Sequence, residues 1–445
     1  MQASEALSVF AAARQAPGAI ALCVDGRRFT FSELAELTRE RLRSLELDQR
    51  AAGPYPLDAA NALDTVVSLY ALLERRIPAL LLHPRLTAPE RDAELRAAAG
   101  GRLDADAAAV IYTSGTTGYP RGAVLTRSAL AASARASAAN LGWHEDDCWL
   151  LCMSIARVGG LSIITRCLIA RRPYALLSAF DAEHLPAVIE QHRTTLVSVV
   201  PTMLALLLDA HPDWMAPPYL RAILLGGAAA SPRLLQRAAA RRLPIVITYG
   251  LTEACSQVVA TPYEMRYDTA RCAAGRPLPE VGLRLVDGRI QVRGPMLMAG
   301  YLDEPALSPG AWFDTGDVGE LDAEGFLHVH ARAADLIVSG GENVYPAEVE
   351  RVLEECPGVA AAAVFGIPDE TWGQVVAAAL VMAADAPTEA ALRDYIDAHL
   401  APHKRPRRFS VVRRLPQTPA GKLDRPALEQ LLAPQARPFK LSTGA

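Results

Sequence analysis

Along the first 250 positions, short apolar runs alternate with longer stretches whose apolar residues recur at helical spacing. Ala19–Val24, Ala79–Leu82, Ala107–Tyr112, Trp149–Met153, Thr195–Val200, Ala222–Leu225 and Pro244–Thr248 predict buried strands. Between them, Leu63–Leu73, Arg127–Leu141 and Ser231–Arg241 predict helices. Thr30-Phe-Ser-Glu-Leu opens another, with Thr30 or Ser32 as cap and an apolar stripe running to Leu45. Such alternation predicts an α/β domain with largely parallel sheets. From about Cys272 the texture changes, and Gly282–Val286 and Arg289–Val292 predict a small antiparallel unit. After Arg332 the pattern becomes α+β. Ala347–Glu354 and Glu389–Leu400 read as helices; Ala360–Gly366, Val375–Met382 and Phe409–Val412 read as strands. The expected architecture is a large N-terminal α/β domain of mixed and parallel sheets flanked by helices, plus a small β-unit, and then a small C-terminal α+β domain. We set the large domain at 1–331, a hinge at 332–336, the small domain at 337–437 and a tail at 438–445.

Composition narrows what such a chain can do. Of 445 residues, 51% are hydrophobic and 21% charged, enough to bury a large core, which excludes disorder as the main state. A net charge of −4 leaves no electrostatic footprint for a nucleic-acid partner. The seven cysteines form no CxxC pair, which argues against a disulfide framework or a zinc site and for a reducing compartment. The N-terminus lacks the basic and apolar regions of a signal peptide. Leu196–Leu208 is broken by Pro201 and too short to cross a bilayer. A cytoplasmic protein without membrane insertion is the expectation.

One string stands out for chemistry. Tyr112-Thr-Ser-Gly-Thr-Thr-Gly-Tyr-Pro-Arg-Gly122 follows a predicted strand and leads through Ala123-Val-Leu into a predicted helix. Its hydroxyls and backbone N–H groups suit an anion, and Arg121 adds a fixed charge suited to phosphate. It lacks the Gly-Lys-[Ser/Thr] of a Walker A loop, and a flexible turn is the competing reading. Lysine is nearly absent: Lys404, Lys422 and Lys440 stand among 45 basic residues. Lys422, in a Gly-Lys loop near the end, is the one most in need of an explanation.

The string resembles the phosphate loop of the adenylate-forming superfamily, which includes acyl- and aryl-CoA synthetases, peptide-synthetase adenylation domains and luciferases. Four further motifs follow in the superfamily's order: Tyr249-Gly-Leu-Thr-Glu253, Thr315-Gly-Asp317, Arg332 through Glu350, and Pro416-Gln-Thr-Pro-Ala-Gly-Lys-Leu-Asp-Arg425. The resemblance implies ATP, Mg²⁺ and a carboxylic acid as reactants, with CoA as co-substrate. It implies that Thr113, Ser114, Gly115, Thr116, Thr117 and Gly118 embrace the phosphates, with Arg121 behind them. Tyr249 and Gly250 would lie against the adenine, Thr252 would touch the α-phosphate, and Glu253 with Thr116 would serve the metal. Asp317 would accept the ribose hydroxyls, supported by Arg332. Lys422 would bridge carboxylate and α-phosphate in the first half-reaction. Ser339, Gly340 and Gly341 would line the thiol's tunnel in the second. The strings Leu224–Ala228, Tyr249–Gln257 and Asp335–Glu348 are most similar to the subgroup that activates o-succinylbenzoate for menaquinone biosynthesis. There Gly226, Gly227, Ala228, Ser256 and Gln257 would wall the acyl pocket.

This chain departs from the superfamily at three places. Arg121 stands where lysine is usual; Ala156-Arg157 replaces an aromatic–histidine pair; and Ala334 replaces an aspartate after the hinge arginine. Arg157 reads equally as a partner for a second substrate carboxylate and as a structural arginine. A homodimer is left open.

Overall fold

The computed structural model describes residues 3–45, 53–101, 103–113, 120–268, 270–339, 342–369, 371–417, 423–432 and 437–438. Spatial proximity of the backbone divides them into two compact bodies. The first takes Met1–Gly227, Ala238–Arg284 and Gln291–Phe313; the second takes Ala228–Arg237, Leu285–Ile290 and Asp314 onward.

The first body contains a nine-stranded sheet. Its order runs Arg276–Pro277, Ser256–Ala260, Ile245–Leu251, Ala222–Leu225, Leu196–Val199, Trp149–Leu151, Tyr174–Leu176, Ile20–Val24, Arg27–Thr30. The central strands are mutually parallel, and only the flanking ones turn antiparallel. Parallel strands need both faces covered, and the central strands are accordingly apolar on both sides, as in Ala222–Leu225 and Leu196–Val199. A five-stranded sheet lies beside it, ordered Gly300–Tyr301, Arg121–Thr126, Ala107–Thr113, Ala79–Leu82, Tyr55–Asp58. A large apolar core serves this body, with a smaller one around Leu80, Leu82, Val110, Val124 and Leu302.

Local chemistry sets the helix starts. Thr30, rather than Ser32, caps Phe31–Ser44: Glu33 N donates to its hydroxyl, and the Glu33 carboxylate accepts from Thr30 N at 2.7 Å. Thr126 caps Arg127–Leu141 in the same way, accepting from Ala129 N at 3.1 Å. The phosphate-loop string leads into the helix Arg127–Leu141 as expected, and on the way Arg121–Thr126 forms a strand that was not anticipated, antiparallel to Ala107–Thr113 and paired Thr113↔Arg121 at its mouth. Its alternation is masked because both of its faces are buried from Gly122 on.

The second body holds a six-stranded sheet built on Gly373–Met382. Val359–Asp369 runs antiparallel to that strand and Arg408–Val411 parallel to it. Pro346–Glu355 and Glu389–His399 bury Val349, Val352, Leu353, Leu392 and Ile396 in this body's own core. Leu327–Arg332 ends in a short 3₁₀ turn, Ala333–Asp335, before Ile337–Ser339 begins. No helix among the described residues is long and apolar enough to cross a membrane.

Candidate active site

In open α/β sheets, ligands bind beyond the carboxyl ends of the parallel strands. Two expected site segments of the first body sit there. Gly226 and Gly227 follow Ala222–Leu225, and Tyr249, Gly250, Thr252 and Glu253 lie at the end of Ile245–Leu251. The two strands are adjacent and in register, Leu225 against Ile247. A methyl on Gly226 would lie 2.3 Å from Thr248 Oγ1, so the absent side chain is what lets the two ends converge.

The Tyr249–Gln257 segment is a hairpin that changes register between Tyr249 and Gly250, where Gly250 pairs with Gln257. Here the backbones pass so closely that a Cβ on Gly250 would sit 2.0 Å from Ser256 O. The turn is tight: Cys255 and Ser256 both have positive φ, 51° and 105°. Ser133 Oγ pins it by donating to Cys255 O at 2.7 Å. Gln257 is buried and Ser256 half-buried. Ala228 begins the stretch that groups with the second body.

Glu253 is half-exposed, and no basic side chain among the described residues pairs with it. Its carbonyl accepts from Met298 N at 2.7 Å, and its Oε1 accepts from Tyr301 Oη at 2.8 Å. Over the Tyr301 ring, 3.4 Å from its centroid, lies the Arg121 guanidinium, which is also ion-paired to Glu304. Tyr301 and Glu304 had no sequence signal, because nothing in the spacing announces contacts across 48 positions from Tyr301 to Glu253 or 183 from Glu304 to Arg121. An ionised carboxylate with a free oxygen suits a hard, oxygen-seeking cation; on this ground Glu253 fits magnesium.

Thr113 and Arg121 face each other where the hairpin opens, Thr113 Oγ1 lying 3.4 Å from Arg121 O. Ser114, Gly115, Thr116, Thr117 and Gly118 between them lie outside the described residues. Arg157 precedes helix Val158–Ala170, and its Nη1 donates to Tyr112 O at 3.2 Å. The residue keeps solvent contact, but its guanidinium is drawn inward. Desolvation lowers its pKa, and the Glu94 carboxylate opposes that. Glu94 in turn is pushed up to about 7, mainly by burial, against the pull of Arg157. Arg157 therefore has a structural partner at the very residue from which the phosphate-loop string departs.

In the second body, Gly316 adopts φ +76°, and Thr315 Oγ1 accepts from Asp317 N at 3.1 Å while donating to Ile290 O at 2.9 Å. This turn presents the buried Asp317. Arg332, opposite it in register, places Nε 3.0 Å from Asp317 Oδ1 and donates from Nη1 to Thr315 O at 3.0 Å. Ser339 is buried and pairs with Glu342; Gly340 and Gly341 lie outside the described residues. Lys422 does too, but its flanks are fixed: Gln417 bridges Leu423, and Asp424 N donates to Pro416 O at 3.0 Å. Lys404 is bound to Glu348 at 2.6 Å.

An acidic cluster elsewhere, His144, Asp146 and Asp147, is structural. Asp147 is fully buried, and both its oxygens are taken: Arg221 Nε and Thr195 Oγ1 donate to Oδ1 at 2.7 Å, Arg221 Nη2 to Oδ2 at 2.5 Å.

Comparison with known proteins agrees with this arrangement. Residues 101–302 match the AMP-binding enzyme family, and residues 348–422 match the AMP-binding enzyme C-terminal domain. A 2-succinylbenzoate–CoA ligase of Listeria monocytogenes is 35% identical, covering 94% of this chain and 97% of its own. That of Bacillus licheniformis is 42% identical, covering 72% of this chain and 69% of its own. The solved o-succinylbenzoate CoA synthetase of Bacillus subtilis, in complex with its acyl-adenylate intermediate, superposes with a TM-score of 0.86 at 32% identity. It covers 95% of this chain and 97% of its own; the same enzyme with ATP and magnesium superposes at 0.83.

Proposed function

The chain belongs to the AMP-binding enzyme family, and from that premise we propose that it ligates o-succinylbenzoate to coenzyme A in two steps through an acyl-adenylate. A carboxylate resists attack by a thiol because an oxide would have to leave. In the first step a carboxylate oxygen attacks the α-phosphorus of ATP and pyrophosphate departs. In the second the thiolate sulfur attacks the acyl carbon, the C–O bond to phosphate breaks, and AMP leaves with the electron pair. The protein's task is to hold the reactants in line and to stabilise negative charge at the α-phosphate.

The roles follow the residues. Ser114, Thr116, Thr117 and Gly118 hold the departing phosphates. Tyr249 lies against the adenine, Thr252 reaches the α-phosphate, and Asp317 accepts the ribose hydroxyls. Arg332 does not need to touch the nucleotide: its bond to Asp317 orients that carboxylate. Glu253 holds magnesium, which when bound neutralises phosphate charge. Lys422 supplies a compact mobile charge to carboxylate and α-phosphate together. Ser339, Gly340 and Gly341 line the path of the thiol. We further propose the working divisions at 1–331, 332–336, 337–437 and 438–445, which the strand ending at Arg332 and the turn Ala333–Asp335 support. All seven cysteines are unpaired, which supports a cytoplasmic setting.

The likeness over nearly the whole chain to relatives of this specificity carries the reading. Its test is pyrophosphate release with o-succinylbenzoate, benzoate and simple fatty acids, followed by thioester formation with CoA. Preference for o-succinylbenzoate in both steps is expected. Adenylation of another acid would move the substrate assignment; adenylate without thioester would point to a carrier protein as acceptor; silence with every acid would defeat the proposal.

A further inference from the structure

One short segment holds Glu253 at two points. Met298 N fixes its carbonyl at 2.7 Å, and Tyr301 Oη reaches its carboxylate at 2.8 Å. We propose that Tyr301 is a positioning residue for adenylate formation, its phenol holding the Glu253 carboxylate in one orientation for a divalent cation. The inference rests on the reading of Glu253 as the magnesium ligand.

The phenol is itself immobilised. Tyr301 is only 9% exposed, and its backbone pairs with Ala123 in the five-stranded sheet. The Arg121 guanidinium covers one face of its ring, and Glu304 anchors that guanidinium. The ring therefore has a fixed floor and a charged roof, worth more than packing alone. A phenol hydroxyl facing a carboxylate oxygen is the donor of the pair, and Tyr301 Oη accordingly donates to Glu253 Oε1. One donated bond occupies one lone pair of Oε1, leaving Oε2 free for a cation. A loose glutamate would have to surrender its rotamer freedom on binding the cation; this one has already done so.

The segment also has a direction. Arg121 closes the hairpin that carries the phosphate-loop string, and the contacts run from it through Tyr301 to Glu253. The expected phosphate ligands and the expected metal ligand thus share a single mechanical support within the first body.

The test uses the full chain with ATP, no acid, and Mn²⁺ as the probe, free Mn²⁺ being read by electron paramagnetic resonance. Tyr301→Phe keeps the ring and its stack, so folding is retained and the melting midpoint confirms it. It should weaken Mn²⁺ binding to the protein–ATP complex by about tenfold, the equivalent of the side-chain freedom restored. ATP affinity in the presence of a chelator should stay that of the parent. Unchanged Mn²⁺ affinity would overturn the inference, as would an equal loss of chelator-insensitive ATP binding. In a Glu253→Gln background, Tyr301→Phe should add nothing; a full additional effect would show that the phenol does not act through Glu253. If Glu253→Gln alone leaves Mn²⁺ affinity untouched, the metal assignment fails instead, and that result is distinct from failure of the tyrosine's role.

Discussion

Gly250→Ala is a single methyl placed where the hairpin of the nucleotide motif is narrowest. The added carbon would lie 2.0 Å from Ser256 O, 2.6 Å from Ser256 C and 2.8 Å from Gln257 Cα. The nearest of these is about 1.4 Å short of the 3.4 Å at which ordinary contact begins. All three are backbone atoms, so no rotamer change relieves the clash, and the strands Ile245–Leu251 and Ser256–Ala260 must part. Overpacking of this kind costs about 1–3 kcal/mol, and loosening one or two ladder hydrogen bonds adds about 1 kcal/mol each. The sum is about 2–5 kcal/mol, which for a body of this size lowers the melting midpoint by about 3–8 °C. Activity should suffer more than stability. Thr252 and Glu253 follow directly, and Glu253 is tied to Met298 and Tyr301 at 2.7 and 2.8 Å. A displacement near 1 Å there is expected to cost about 100-fold in adenylation rate. Thermal unfolding and pyrophosphate release at a temperature where the variant is folded would measure both. Gly18→Ala is the control, because nothing lies within 4 Å of its added methyl; it should behave as the parent. If Gly250→Ala matches Gly18→Ala in stability and rate, the argument from backbone approach is wrong.

Three further outcomes are expected. Lys422→Ala should abolish adenylate formation while a supplied acyl-adenylate still reacts with CoA; equal loss in the two half-reactions, followed by rapid quench, would contradict the assigned role. Arg157→Ala should lower adenylation of mono- and dicarboxylic acids alike, by about tenfold, because it releases Tyr112 O beside the phosphate-loop string; a loss confined to the dicarboxylic acid in substrate kinetics would instead make Arg157 its second-carboxylate partner. Glu354, pushed up to about 7 by burial, binds a proton more tightly folded than unfolded. Its folded-state pKa lies above the ordinary 4.5, so the parent loses stability as pH rises from about 4.5 to about 7 and the loss is flat above that. Glu354→Gln should therefore be more stable than the parent by about 3 kcal/mol at pH 8 and indistinguishable from it at pH 4, as read by denaturant titration.

The strands and helices with strong periodicity were legible from the chain alone. Arg127–Leu141 and Leu63–Arg75 appear within two residues of where their apolar stripes place them. What was hidden shares a physical cause. Val158–Ala170 opens on Gly159-Gly160 and is buried over most of its length, so it has neither a helical cap signal nor a polar face to reveal its period. Arg121–Thr126 is concealed likewise, being a strand covered on both faces. In the site, the residues that carry motifs stand out in the sequence because their types and spacing are tied to chemistry, and their roles rest on the family resemblance. Their supports do not stand out. Tyr301 against Glu253, and Arg157 against Tyr112, are contacts between distant segments, and only the folded sheets bring them together.

The two exceptional basic positions illustrate why residue type matters beyond charge. In a chain that uses arginine almost everywhere, Arg121 could be taken as a lysine replaced by composition. Its surroundings argue otherwise. A guanidinium is a plane, and here the plane lies 3.4 Å from a ring centroid while its edge meets Glu304. An ammonium cannot stack and fork at once. Arginine at 121 is thus a structural choice that ties the phosphate hairpin to Tyr301 and through it to Glu253. The role proposed for Lys422 makes the opposite demand: a charge serving a carboxylate and an α-phosphate together should be compact and free to turn, which a planar fork is not. That role would account for a lysine at this position in a chain that otherwise uses arginine, whereas Arg121 is explained by the contacts it makes.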